Sequence, residues 1–258
     1  MSRKVFITDG SEISFYAAVF CAWRHESHIT SAQNFQPLIT DEIIFVNAAE
    51  KTAEEKTAEE KTAAEKTAEE AERVRSALFR IDPPAPKEIR RILSSSNLQK
   101  EQIAYLYLRE ILGQRAPARE KTYLSCVRNA ADVLHKIGKE IEHLKGFLRF
   151  RETAHGVYYA ACAPDNNVVP SLAPHFIRRL ACPFIIHDLS RGYALCYNGE
   201  KTICIEAKEA EIPLSASEEE FAALWASYFK NVAIRARKNQ KQQDHLMPRR
   251  YRKFMPET

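Results

Sequence analysis

Glycine is scarce in this chain, seven residues in 258, and none of the seven falls into G-x-G-x-x-G or G-x-x-x-x-G-K-[ST]. Those motifs work because residues without a Cβ let backbone N–H groups close on phosphates, so the standard dinucleotide and P-loop cradles are excluded. The six cysteines, Cys21, Cys126, Cys162, Cys182, Cys196 and Cys204, stand at least eight residues apart with no C-x-x-C pair. That spacing removes zinc ribbons and iron–sulfur cluster loops and leaves reduced, mostly buried small hydrophobes as the expectation. No H-E-x-x-H and no G-x-S-x-G elbow occur, and His25-Glu26-Ser27-His28 has the wrong spacing for a zinc pair on one helix face. Long apolar runs are missing too: none approaches the roughly 18 residues of a membrane span. The opening Met-Ser-Arg-Lys-Val-Phe-Ile-Thr-Asp-Gly offers only three consecutive apolar residues, too few for a signal-peptide core, so a cytoplasmic location without membrane contact is expected.

The charge is present but unevenly placed. Lys and Arg number 38 against 34 Asp and Glu, a formal net charge of +4. Between Tyr228 and Phe254, nine bases (Lys230, Arg235, Arg237, Lys238, Lys241, Arg249, Arg250, Arg252 and Lys253) face one acid, Asp244, a local +8 that leaves −4 on the rest. A segment of one sign in an otherwise acidic chain faces a polyanion or a solvated surface. The 45% apolar content supports a packed core in one large domain or two small ones.

Periodicity predicts an α+β chain: a mostly helical N-terminal half with a short β-α-β start, and a C-terminal, largely antiparallel sheet with flanking helices. The boundary is placed at 120/121. Val5-Phe6-Ile7, the apolar stretch from Phe15 to Trp23, and Ile43-Ile44-Phe45-Val46 carry the opening strand–helix–strand. From Glu50 to Glu69 a five-residue unit, Glu-Lys-Thr-Ala-Glu with one Ala variant, repeats four times. Five residues advance a helix by about 140° beyond a full turn, so the alanines never line one face, and a solvated helix over 50–70 is expected as a low-complexity insertion. Helices are expected near 70–79, 87–93, 98–112 and 121–145. The last carries Val127, Ala130, Ala131, Leu134, Ile137, Ile141 and Leu144 on its stripe, His135, Lys139 and His143 on its other face, and Gly146 as its stop. A hairpin of 147–151 with 157–161 follows, then a short helix at 171–180. Strands at 184–189, 193–197 and 202–207 come next, the last two joined at Asn198-Gly199. Ser217-x-x-Glu220 is a capping box opening a helix whose stripe is Phe221, Leu224, Trp225, Tyr228, Phe229 and Val232.

Four segments carry chemistry. In Lys145 to Arg151, strand alternation would put Phe147, Arg149 and Arg151 on one face, a pattern suited to phosphate contact with base stacking; the other reading is a half-buried strand whose arginines pair with surplus acids. His175, Arg178 and Arg179 share a helix face that could clamp a phosphate, or the arginines simply favour the helix C-terminus. His187-Asp188, with Arg191 three residues on, fits a general base and its orienting group, or a satisfied structural His–Asp pair. His143, His175 and His187 could act as acid–base groups, but their spacing matches no metal site, and no metal or cofactor is assigned. Finally, Arg249-Arg250-Tyr251 closes a basic tail interleaved with aromatics, as nucleic-acid footprints are; engaging about six of its charges would give a log–log salt slope near −5.

The motifs Asp9-Gly10, His143 to Phe150, Leu172 to Phe176, Ile186-His187-Asp188, Arg235 to Asn239 and Met247 to Tyr251 together resemble a bacterial family of DNA metabolism or repair proteins. Its C-terminal domain of unknown function also occurs fused to uracil-DNA glycosylase-like proteins. Phe184 stands where that pattern often has Trp, and Arg252 where it has an aromatic. The resemblance implies DNA as ligand and a radical S-adenosylmethionine DNA-modification protein as partner, which would hold the cluster this chain does not offer. It implies no catalytic activity, and glycosylase chemistry is not expected from this chain.

Overall fold

The computed structural model describes residues 4–23, 27–35, 41–46, 58–208, 212–232 and 239–255. The chain divides into two compact units between Ile137 and Gly138.

The first unit opens with β1 (Lys4–Thr8), α1 (Glu12–Ala22), β2 (Ser27–Ser31) and β3 (Glu42–Val46). Both later strands pair in parallel with β1, giving the order β2-β1-β3. The β-α-β start was legible, but β2 was not: Ser-His-Ile-Thr-Ser carries one apolar residue, and tertiary pairing against β1 outweighs its polar composition. Ser11 caps α1 by accepting from Ser14 N at 3.1 Å. Burial runs almost continuously from Ser14 to Val19, as for a helix covered by both a sheet and another helix.

Then come α2 (Ala58–Ile81), α3 (Ala85–Leu93) and α4 (Lys100–Gln114). The repeat enters α2 from Ala58; its earlier part lies outside the described residues. The buried stripe of α2 is Ala71, Val74 and Leu78, beyond the repeat. Arg119 ties the helices together, reaching buried Asp82 at 2.9 Å and Glu88 at 2.6 Å.

The long α5 (Ser125–Phe147) crosses the division. Gly146 does not stop it; the helix runs one residue further and Leu148 N still donates to Leu144 O. Val127, Ala130, Ile137, Ile141 and Leu144 are buried as expected, while Ala131 is exposed and Val133 and Glu140 take places on the stripe.

The second unit is built on a five-stranded sheet of β4 (Arg151–Glu152), β5 (Tyr158–Cys162), β6 (Phe184–Asp188), β7 (Tyr193–Tyr197) and β8 (Thr202–Glu206), in that order. Three pairings are antiparallel, but β5 and β6 are parallel because α6 (Val169–Leu180) crosses over between them. The hairpin expected from Phe147 begins only at Arg151, since α5 absorbs Phe147. The alternation that placed Phe147, Arg149 and Arg151 on one strand face therefore does not apply. Gly192 closes the β6–β7 turn at φ +65, with Lys208 Cγ 3.1 Å from where a Cβ would stand, a position that favours glycine.

Last are α7 (Glu218–Val232), α8 (Gln240–Leu246) and α9 (Arg249–Arg252). The α7 stripe is present but uncovered: Phe221, Leu224, Trp225, Tyr228 and Val232 are all exposed. Of the cysteines only Cys162 is buried, and all six are free thiols, which corrects the expectation that most are core residues. No helix among the described residues is long and apolar enough to cross a membrane.

Candidate functional site

In the second unit, the loop between β5 and α6 is held from two sides. Glu140, only 3% exposed, accepts from Asp165 N at 2.8 Å, Asn166 N at 3.0 Å and Asn166 Nδ2 at 2.6 Å. From the turn after β6, Arg191 donates to Pro164 O at 3.1 Å and Asp165 O at 2.5 Å. A carboxylate on the loop's donors and a guanidinium on its acceptors satisfy both sets of backbone groups.

The tail motif docks on the same construction. Arg250 pairs with the Asp165 carboxylate, lies 3.5 Å from Glu140 Oε1, and donates to the Tyr251 hydroxyl at 2.9 Å. Tyr251 is 3% exposed, its ring 5.9 Å from His143 and 5.6 Å from Phe147 between centroids. Its ring faces are packed and are not presented for stacking. Arg249 and Arg252 both pair with Asp244, at 2.8 and 2.6 Å, and Arg249 first among them holds that carboxyl well below the usual range. Arg235, Arg237 and Lys238 lie outside the described residues.

His187 and Asp188 do not pair with each other. The Nε2 of buried His187 stands 2.6 Å from Ala207 O, which can only accept, so Nε2 carries the proton and Nδ1 accepts the Tyr159 hydroxyl at 2.9 Å. Asp188, fully buried, takes the Ser190 and Arg191 N–H groups and the Arg191 guanidinium at 3.0 Å. The two residues point apart, as alternation on β6 requires, and each is satisfied by its own partners. Beside them burial pushes the Cys162 thiol up to about 12, which removes it as a nucleophile at neutral pH.

His143 and His175 occupy two further environments. Partial burial, then Lys139 and Arg250, lower the pKa of His143. Burial, then Lys145, Arg179 and Arg178, do the same for His175, whose Nε2 is shielded from solvent without a hydrogen-bond partner. Among the described residues no group of three His, Cys, Asp or Glu could hold a metal ion.

Four cations, Arg149, Arg151, Arg179 and Lys253, line two open clefts that share Arg149. One, of about 450 Å³, is lined by Arg149, Arg179, Phe150, Tyr158 and Trp225 with Gly146, Leu148 and Leu180. The other, of about 210 Å³, is lined by Arg149, Arg151, Lys253, Phe254, Ala161 and Met255. Arg149 is placed by the end of α5, donating to Gly146 O at 2.8 Å. Arg179 reaches Lys145 O at 3.4 Å from the last turn of α6, and Lys145 pairs with Glu142 at 2.7 Å. Exposed Arg178 is its neighbour on the same turn. The chemistry on offer is a row of guanidinium groups interleaved with aromatic rings, suited to phosphate and base contact.

Three contributors were not singled out from sequence. Trp225 stands in the sequence only as one member of a helix stripe, because periodicity reveals an apolar stripe without revealing whether anything covers it. Lys253 was counted only as tail charge. Glu140 carried a usable signal, an acid lying between Ile137 and Ile141 on the apolar stripe of α5.

The model of one family, DUF4130, a domain of unknown function, matches residues 98–257. No curated protein and no solved structure matches the chain.

Proposed function

The chain belongs to the DUF4130 family through residues 98–257, and we propose that it binds nucleic acid at the clefts around Arg149, as an accessory protein of DNA metabolism or repair. The observation that carries this reading is the gathering of Arg149, Arg151, Arg179 and Lys253 with Phe150, Tyr158, Trp225 and Phe254 on two clefts that meet at one arginine. Cations of this kind supply phosphate affinity through counterion release, and aromatics supply contact with base faces. Lys145 and Arg178 extend the positive surface. Of the other residues that the sequence nominated, Arg191, Arg250 and Tyr251 hold the loop and the tail, and exposed Arg249 pairs with Asp244.

The motif resemblance to bacterial DNA-repair proteins, including those fused to uracil-DNA glycosylase-like domains, supports DNA as the physiological ligand. It also supports a radical S-adenosylmethionine DNA-modification protein as partner. An acid–base role for His187 gains nothing from its geometry, since both ring nitrogens are occupied.

Fluorescence anisotropy with labelled single- and double-stranded oligonucleotides tests the proposal. Binding at low ionic strength that Arg149→Glu with Arg179→Glu abolishes is the expected result. Absence of binding at low ionic strength would overturn it in favour of a protein adaptor.

A further inference from the structure

The apolar stripe of α7 needs an explanation. Phe221, Leu224, Trp225, Tyr228 and Val232 recur at helical spacing yet all are exposed, whereas a helix with one apolar face ordinarily buries it. Two of these residues differ from the rest. The rings of Trp225 and Tyr228 are stacked on each other, with centroids 5.7 Å apart and planes inclined by 29°, while remaining 43% and 58% exposed. Trp225 also lines the larger cleft with Arg149 and Arg179. One ring of this stack, Trp225, therefore stands at the wall of a cleft that it shares with the Arg149 and Arg179 guanidinium groups and with Tyr158.

The location of α7 is fixed by its first turn. Glu218 accepts from Glu152 N at 2.9 Å, Ser215 N donates to Glu152 O at 3.0 Å, and Thr153 bridges Leu214. These bonds anchor the helix to β4, next to Arg151. The aromatic stack is thus presented by a tethered element. Its three acids, Glu218, Glu219 and Glu220, are confined to that first turn, about two turns before Trp225.

Charge and ring chemistry together select the occupant. Arginine beside an exposed indole suits a ligand carrying alternating phosphates and flat π-faces. In a duplex those faces are covered by neighbouring base pairs, and only an unpaired strand offers them to a protein side chain. We infer that the ligand is a single strand, with a base stacking on Trp225, backed by Tyr228, while Arg149 and Arg179 hold the phosphates that flank it. From Arg149 the strand continues into the smaller cleft, where Arg151 and Lys253 repeat the arrangement; Lys253 Nζ lies 4.7 Å from the centroid of the Phe254 ring. The inference rests on the nucleic-acid reading above and narrows it to unpaired substrate.

The chain has two tryptophans, so Trp23→Phe leaves Trp225 as the sole indole emitter of the full-length protein. Titration of that variant with a thymidine oligonucleotide at low salt is expected to quench its fluorescence, and a duplex of equal length is expected to bind with little quenching. In the wild-type background Trp225→Ala should weaken single-strand binding by roughly five- to a hundredfold, leave duplex binding within about twofold, and be rescued in part by Trp225→Phe. Circular dichroism and thermal melting check that each variant folds; Tyr228→Ala, with a smaller loss of the same preference, provides a second reading. Equal binding of both forms with unchanged Trp225 emission overturns the single-strand inference while leaving the basic clefts as the binding site. Failure of both forms to bind overturns the nucleic-acid reading and this inference with it. A Trp225→Ala change that dissociates an oligomer without altering strand preference shows the stripe to be a protein interface, and also overturns the inference.

Discussion

One oxygen of Glu140, Oε2, accepts two hydrogen bonds from Asn166, from the backbone N–H at 3.0 Å and from Nδ2 at 2.6 Å. The other oxygen takes Asp165 N at 2.8 Å and lies 3.5 Å from Arg250 and from the Tyr251 hydroxyl. A buried carboxylate thus organises both the loop after β5 and the tail. Glu140→Ala should lower stability by about 3–5 kcal/mol, because it strands the loop donors and a guanidinium together. Glu140→Gln, which keeps an acceptor but loses the charge, should cost about half as much. Urea denaturation gives both values, and limited proteolysis should show the Ala variant cut near Met247 well before the wild type.

Tyr159 and His187 form a second buried pair, with the hydroxyl donating to Nδ1. Removing that donor in Tyr159→Phe should cost about 1 kcal/mol of stability. His187→Ala should cost about 2–4 kcal/mol, since it empties a buried site and strands the Ala207 carbonyl. Both variants, assayed where they remain folded, should bind nucleic acid as the wild type does. A large loss of binding or cellular activity in a fully folded Tyr159→Phe protein would restore a chemical role to this histidine.

In the first unit, Glu101 is almost completely buried, and neither carboxylate oxygen has a full hydrogen bond. Burial raises its pKa, so the folded protein holds that proton more tightly than the unfolded chain does. The associated stability is present below the ordinary glutamate range and is lost as pH rises through the raised value. Glu101→Gln should therefore stabilise the protein by about 1 kcal/mol at pH 7.5, with the gain shrinking as pH falls towards 4.5. Melting temperatures of the two proteins across that range provide the check; a gain that grows on acidification would contradict the assignment.

What could be read in advance follows the range of the interactions involved. The helices from α3 to α7 and the strands β6 to β8 were legible because each is specified locally, by a 3.6- or 2-residue period and by punctuation such as Asn198-Gly199. β2 and the parallel register of β5 on β6 were not, since pairing with a distant strand leaves no local mark. The same limit applied at the site. Counting charge located the basic tail, but pairing of Arg249 and Arg252 with Asp244, and of Arg250 with Asp165 and Glu140, depends on tertiary geometry. The charge count was sound and its interpretation changed. Arg250 and Tyr251 of the Met-Pro-Arg-Arg-Tyr motif turn inward, and the cations that line the two clefts are Arg149, Arg151, Arg179 and Lys253.

The salt dependence of oligonucleotide binding separates those two sets of cations. If Lys145, Arg149, Arg151, Arg178, Arg179 and Lys253 engage a single strand, log K should fall against log salt with a slope near −4. Arg149→Ala and Arg179→Ala should each flatten it by about 0.7, and Arg249→Ala, which lines neither cleft, by much less. A slope near zero, or one that Arg249→Ala flattens while Arg149→Ala and Arg179→Ala leave it unchanged, would contradict the clefts around Arg149 as the site of binding.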